Sequence, residues 1–281
     1  MNMSLYKCPV CSMQLIKIDR TYKCQNKHSY DLSKKDYVNL ILANQGHSLN
    51  EGDSKEMVES RRNFLQGGYY SLLRNKLVSI IQNLFNHYSD IVSFLDVACG
   101  EGYYTNFIHN SISLPFGISS YGVDISKNAI HYASSQKKIQ KLNNISYSVG
   151  NMDYLPFLNN SFDVLLNCFA PINEKEFYRV LKNNSYFIRV LPGRYHLQEL
   201  KEFLYSEVRL NEPKSDEISG FFLENSYQLD DTITIENEQI QNLFTMTPYY
   251  YKTSFEAKEK LKNLDSLTTK ISFIIKVYKK I

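Results

Sequence analysis

No apolar run in this sequence approaches the roughly 20 residues a helix needs to cross a bilayer, and Met1 to Cys11 lacks the core of a signal peptide. The protein is therefore expected in the cytoplasm, with no membrane partner. Internal repeats and low-complexity tracts are missing as well. Net charge is slight: it is only +3 over 281 residues, too small to prove a polyanionic partner and too mild to exclude one, because local patches matter more than totals. Cysteine is scarce and odd in number. Cys8, Cys11, Cys24, Cys99 and Cys168, without a secretory context, argue against a disulfide framework. What is left, 43% apolar and 22% charged residues, is an ordinary globular composition, in a chain long enough for one large core or for one core and a small satellite.

Three of the cysteines crowd the first 24 residues, and His28 follows them in the spacing C-x2-C-x12-C-x3-H. A two-residue gap folds as a tight knuckle that aims two thiolates at one point. Cys24 and His28 can then close a tetrahedron around Zn²⁺, and four protein ligands leave no open position, so the metal is expected to be structural. A head this short needs its metal to fold, while the remaining domain is expected to bind its ligand without it. Between Lys7 and Lys35 the basic residues Lys7, Lys17, Arg20, Lys23, Lys27, Lys34 and Lys35 outnumber Asp19 and Asp31, and this basic end suits phosphate contacts.

The chain is organised around Phe94-Leu95-Asp96-Val97-Ala98-Cys99-Gly100-Glu101-Gly102-Tyr103-Tyr104. The apolar run Phe94 to Val97 reads as a strand, the small residues as a turn, and Tyr103 to Ile108 as a helix. Glycines at 100 and 102 let a ligand lie against backbone N–H groups at the helix start. A dehydrogenase-type turn needs a third glycine, where Thr105 stands here. Around this turn the pattern predicts helices over 54–65, capped by Asp53 with Glu56 and broken at Gly67-Gly68, and over 70–85. Arg61 and Arg62 on the first of these read as a solvated face. Further strands are predicted at 121–124, 145–149, 161–166 and 186–190, with helices over 125–136 and 174–181 between them. A helix over 197–210, a polar loop 211–220, strand-like runs 221–229 and 232–236, a helix 238–244 and a last strand 270–277 complete a sheet. The fold class is α/β, a doubly wound Rossmann-like sheet with a small zinc-binding domain: 1–45 a head, 46–88 a linker with helices, 89–281 the main domain.

In such sheets ligands sit at the carboxyl ends of the strands. Asp124 there can accept both ribose hydroxyls of an adenosine, and it can also cap the following helix. Asn167-Cys168-Phe169-Ala170-Pro171 ends the fourth predicted strand and should flank the reacting group. Cys168 reads as a buried structural thiol rather than a nucleophile.

The D-x-A-C-G-x-G turn looks like the first motif of the class I S-adenosylmethionine-dependent methyltransferases, in which a carboxylate placed as Asp96 lies near the charged methionine end of the cofactor. The resemblance narrows with the knuckle, Tyr37-Val38-Asn39-Leu40, Gly52-Asp53-Ser54-x-Glu56-Met57, Arg61-Arg62-x-Phe64-Leu65-x-x-Gly68-x-Tyr70, Cys99-Gly100-Glu101-Gly102-Tyr103-Tyr104-Thr105, Asp124-Ile125-Ser126-Lys127, His196-Leu197-x-Glu199-Leu200-Lys201 and Met246-Thr247-Pro248. In this order and spacing they resemble the RlmA-type 23S rRNA (guanine-N1)-methyltransferases over nearly the whole chain. Asn183-Asn184-Ser185 departs from the usual Pro-Gly-Gly of relatives, in a turn-compatible way. The resemblance implies methylation of a guanine in a domain II hairpin loop of 23S rRNA, with macrolide resistance in some members. It also implies a cofactor site of Tyr70, Asp96, Ala98, Gly100, Glu101, Gly102, Tyr103, Asp124, Asn151, Met152 and His196. Asn151 stands where many relatives have Asp, and its carbonyl suits the adenine amino group. Asn167, Phe169 and Pro171 are expected to hold the target base. A small-molecule methyltransferase, or a zinc-dependent RNA- or antibiotic-binding protein with an inactive methyltransferase fold, would share the turn. A homodimer is left open by the sequence.

Overall fold

The computed structural model describes residues 3–42, 52–212 and 215–281. The chain starts with four short antiparallel strands, β1 (Met3–Lys7), β2 (Gln14–Ile18), β3 (Thr21–Lys23) and β4 (Ser29–Asp31), which lie side by side in that order. Two similar turns follow β1 and β3. In each, an N–H bonds back to the first cysteine's carbonyl (Ser12 to Cys8, 2.8 Å; Lys27 to Cys24, 3.0 Å), and that residue takes a positive φ. The expected loop from Gln45 and the boundary at 45/46 lie outside the described residues, except for Gly52.

The large sheet is built from β5 (Tyr37–Asn39), β6 (Val92–Val97), β7 (Ile118–Asp124), β8 (Ile145–Val149), β9 (Phe162–Cys168), β10 (Leu181–Pro192), β11 (Phe221–Glu236) and β12 (Ser266–Lys280), in the order β11-β12-β10-β9-β6-β7-β8-β5. From β10 to β5 all neighbours are parallel, and β12 is antiparallel to both β10 and β11. Side chains alternate across the sheet. Phe94, Val164, Leu166, Ile188 and Val190 belong to one core cluster, and Leu95, Val97, Leu165 and Phe187 to the opposite one. The first cluster includes buried side chains of α2 (Ser71–Phe85), α3 (Tyr103–Ser111), α6 (Gln198–Leu204), α7 (Glu238–Thr245) and α9 (Phe255–Lys262). The other face is covered by α4 (Lys127–Ile139) and α5 (Glu174–Val180), together with the head. This is the doubly wound class expected, with one difference: the head acts as a covering layer.

Tyr6 shows how. It is fully buried, stacked on Phe157 (centroids 5.1 Å apart) and edge-on to Tyr121 (5.5 Å). Lys7 N–H donates to Pro156 O and Leu158 N–H to Leu5 O, both at 3.0 Å. β5 then pairs in parallel with β8 as the edge strand. Head and main domain thus share one core and one sheet, which the expected division into a self-sufficient methyltransferase domain does not anticipate.

Four other expectations are corrected. Helix α1 (Lys55–Gln66) is capped by Ser54, whose Oγ accepts from Met57 N–H at 3.2 Å, because the Asp53 carboxylate is taken by Arg61. Ser126 caps α4 for a similar reason: Asp124 is turned toward the glycine turn. The helix predicted over 197–210 stops at Leu204, and Asn211 bonds back to the 193–194 segment through its side chain and its N–H. The runs 221–229 and 232–236 form one strand, since pairing with β12 continues through Asp230 and Asp231 and the Ser272 hydroxyl donates to Asp230. Two helices absent from the expectation, α8 (Tyr249–Lys252) and α9, follow α7.

Candidate active site

The strand order reverses between β6 and β9, and a cavity of about 1000 Å³ opens at their carboxyl ends. One wall is the glycine turn. Gly102 has φ +79°, and a Cβ there would come within 2.7 Å of the Tyr147 hydroxyl and 2.8 Å of Ala133, so only glycine lets α3 begin this close to the neighbouring strand and helix. Ala98, Gly100, Glu101 and Tyr103 line the cavity beside it.

Five carboxylates line this space, Asp153 next to Met152 and four others. Asp96 is buried, accepts from the Thr105 hydroxyl at 2.6 Å, and is pushed by burial up to about 7. Thr105, which stands where a dehydrogenase-type turn has its third glycine, is thus the partner of the motif's acid. Glu101 is also buried, and its Oε1 has no hydrogen-bond partner. Burial pushes it up to about 7 against the opposing charge of Arg61. Asp124 accepts from Gly100 N–H (2.9 Å) and Ser126 N–H (2.8 Å). Burial raises its pKa and these bonds oppose the shift. Asp53, the fourth, is paired with Arg61. Buried carboxylates with an orphaned oxygen suit a cationic ligand.

On the far side, Tyr70 and His196 meet through the Tyr70 hydroxyl and His196 Nε2, 3.2 Å apart. Ser272 N–H donates to His196 Nδ1 at 3.1 Å. A backbone amide is always the donor, so Nδ1 is bare and the proton of the neutral ring is on Nε2. Burial, with a further contribution from the charge of Lys201, pushes this histidine down to about 3. The ring therefore donates to the Tyr70 oxygen, and the phenol's own hydrogen is left for an acceptor in the cavity.

The segment after β9 forms the rim. Phe169 has φ +58°, rare for a bulky side chain and worth about 1–3 kcal/mol of strain. Its N–H donates to Val190 O (3.0 Å), and its ring, 40% exposed, lies nearly parallel to His196 with centroids 6.3 Å apart. Pro171 lines the cavity as well. Asn167, expected to touch the base, is fully buried, and its amide donates to Pro171 O at 3.2 Å. The structure makes it a support for the rim, because β9 runs two residues further than the sequence predicts and keeps the side chain inside the fold. Cys168 is half-buried and lines the cavity instead of lying wholly within the core. Burial and nearby Asp96 push its thiol well up, so it stays protonated and unsuited to nucleophilic attack.

Met152 and Asn151 line the cavity below β8, and the Asn151 side-chain oxygen accepts from Asp153 N–H at 2.8 Å. Sequence reasoning missed Asp53, Met57, Arg61 and the Met246–Tyr249 segment, which also line the cavity. Their signal was present in the matching motifs, which carried no role until the fold brought them together.

In the head, Cys8, Cys11, Cys24 and His28 converge, with all four ligand atoms within 4.8 Å of one another. Cys11 Sγ and Cys24 Sγ are 3.6 Å apart, and His28 Nδ1 lies 3.5 Å from Cys8 Sγ and 3.4 Å from Cys24 Sγ. Tetrahedral zinc with Zn–S bonds of about 2.3 Å requires sulfur separations of about 3.8 Å, so this set fits the ion. The Tyr30 hydroxyl, 3.4 Å from Cys8 Sγ, supports the site from outside.

The RlmA N-terminal zinc-ribbon family matches residues 6–49, and the methyltransferase domain family matches residues 89–261. The chain belongs to the RlmA-type methyltransferase family. It uses S-adenosylmethionine, whose cationic methionine end the buried carboxylates suit, and structural zinc. YxjB of Bacillus subtilis (strain 168), provisionally named a 23S rRNA (guanine-N1)-methyltransferase, is 26% identical to this RlmA-type enzyme over 284 residues, spanning 98% of this chain and 97% of its own. The 23S rRNA (guanine(748)-N1)-methyltransferase of Streptomyces fradiae is 28% identical over 200 residues, 70% of this chain and 67% of that protein. Among solved structures, the YcgJ protein of Bacillus subtilis covers 72% of this chain and 97% of its own, with a TM-score of 0.48 and 18% identity. Among the described residues, no helix of the enzyme is long and apolar enough to cross a membrane.

Proposed function

We propose that this enzyme transfers the methyl group of S-adenosylmethionine to N1 of a guanine in 23S rRNA, within a hairpin loop of domain II. The observation that carries this reading is the full-length correspondence, zinc ribbon included, with a relative whose name specifies that chemistry. The cofactor's sulfonium supplies the methyl group for an in-line displacement whose main demand is positioning. Asp124 would hold the ribose, Asp96 and Glu101 the cationic methionine end, and Phe169 with Pro171 the guanine once it has left its loop. Exposed Lys17, Lys23, Lys27, Lys34 and Lys35 on the head supply cations for the RNA phosphates.

Primer extension across domain II of 23S rRNA, from a deletion strain beside its parent, tests the reading. A stop present in the parent and absent from the deletion strain is expected, and identical patterns would overturn it. With the purified enzyme, Phe169→Ala should slow methylation about 100-fold and change S-adenosylmethionine affinity by less than about threefold, because the ring acts only once the guanine is in place. An equal loss of cofactor affinity would move Phe169 out of the base site.

The cofactor site should also titrate. Burial pushes Asp96 and Glu101 up to about 7, and a cation binds only their ionised forms. S-adenosylmethionine affinity should therefore rise from pH 6 to pH 8, by at most about tenfold per pH unit for each group, with protons released on binding. Calorimetry in two buffers of different ionisation enthalpy measures that release. A flat affinity without proton release would show that neither carboxyl meets the cation.

A further inference from the structure

The cavity described above is acidic. Asp53, Asp96, Glu101, Asp124 and Asp153 line it, and among the described residues Arg61 is the one lysine or arginine that does. Carboxylates answer the sulfonium and ammonium of S-adenosylmethionine, but they repel the carboxylate on the same α-carbon. A cation at the methionine end would offset that repulsion.

We propose that Arg61 receives the α-carboxylate of the cofactor and that Asp53 holds the guanidinium in place for it. The proposal rests on the use of S-adenosylmethionine and adds the residue that reads its carboxylate. Arg61 projects from α1 over the glycine turn, where its Nη1 lies 3.6 Å from the point a Cβ on Gly100 would occupy. Asp53 pairs with Nη1, and Met246 O accepts from Nη2 at 3.4 Å. Asp53 is itself fixed, because its backbone carbonyl accepts from the Ser126 hydroxyl at 3.1 Å. A guanidinium carries five N–H donors, so two anchors leave donors for a planar carboxylate, the geometry arginine matches best. Burial works against the charge, but Asp53, Glu101 and Asp124 outweigh it and keep the group cationic. The side chain is 25% exposed, neither on the solvated face read from the sequence nor sealed in the core. Arg62 differs: its guanidinium lies over the Tyr132 ring at 4.9 Å.

The test compares two ligands, S-adenosylmethionine and its decarboxylated form, which keeps the sulfonium and the amine. The native enzyme should prefer the intact cofactor by about tenfold or more. Arg61→Gln should lower affinity for S-adenosylmethionine by about that factor and leave the decarboxylated ligand within about threefold, so that the preference disappears. Arg61→Lys, which keeps the charge and loses the fork, should fall between them. Thermal unfolding of each variant checks that α1 remains docked. If Arg61→Gln weakened both ligands equally, Arg61 would be a structural partner of Asp53 and the proposal would be overturned. If the native enzyme bound neither ligand, the use of S-adenosylmethionine itself would fail, an outcome distinct from loss of the preference.

Discussion

Replacing Asp124 by Ala should weaken S-adenosylmethionine binding by about 100-fold or more. Each carboxylate oxygen accepts one backbone N–H, from Gly100 or from Ser126, and keeps a second lone-pair direction for a ribose hydroxyl. Hydrogen bonds to a charged group are worth about 1.5–3 kcal/mol each, so losing two costs about 3 kcal/mol or more, and every 1.4 kcal/mol is tenfold in affinity. The Gly100 bond also fixes the turn, so the variant loses preorganisation of the methionine side along with the ribose contacts. Asp124→Asn, which retains one acceptor oxygen, should fall between the two. Calorimetric titration reads the effect directly. An affinity within about threefold of the native value in a folded Asp124→Ala protein would remove this residue from the cofactor site.

Removing zinc, or the head itself, should destabilise the whole enzyme. Tyr6, Cys8, Leu15, Tyr22, Val38 and Leu40 are buried in a cluster that also contains Leu95, Val97, Tyr121 and Phe157 of the main domain. Burying one large apolar side chain contributes about 1.5–3 kcal/mol, while a domain's entire net stability is about 5–15 kcal/mol. Loss of the head therefore exceeds what the rest can absorb, and it also strips β8 of β5, its parallel partner on the outer side. A chain beginning at residue 89 should fail to fold and fail to bind cofactor. Cys24→Ala, or a strong chelator, should release about one equivalent of zinc and shift a single unfolding transition downward. Calorimetric scanning distinguishes the alternative, in which two transitions separate and only the first responds to metal. That result would restore the head as an independent unit.

Much of this was legible from local spacing. The C-x2-C-x12-C-x3-H pattern fixes two turns and a ligand set, because residues three or four apart are held near one another by the chain itself. The apolar runs of the parallel strands and the small residues between Val97 and Tyr103 are local in the same sense, and their order is enough to give a doubly wound sheet with a ligand turn. The capping residues lay at the limit of that reasoning. Asp53 and Ser54, like Asp124 and Ser126, are both chemically able to cap, and the choice went to the residue whose neighbour had a distant partner.

Only the tertiary structure decided the direction of Arg61. Its anchors are 8 and 185 residues away, at Asp53 and Met246, and no periodicity on α1 records them. Tertiary structure also set the proton on His196, since the decisive amide belongs to Ser272, 76 residues on. Asn167 turned from base contact to rim support because β9 extends through it. The head became part of the core because Tyr6 finds Phe157 and Tyr121. Chain connectivity writes the elements and the metal site into the sequence, whereas the charge balance of the cavity depends on which distant side chains the folded sheet brings to its carboxyl edge.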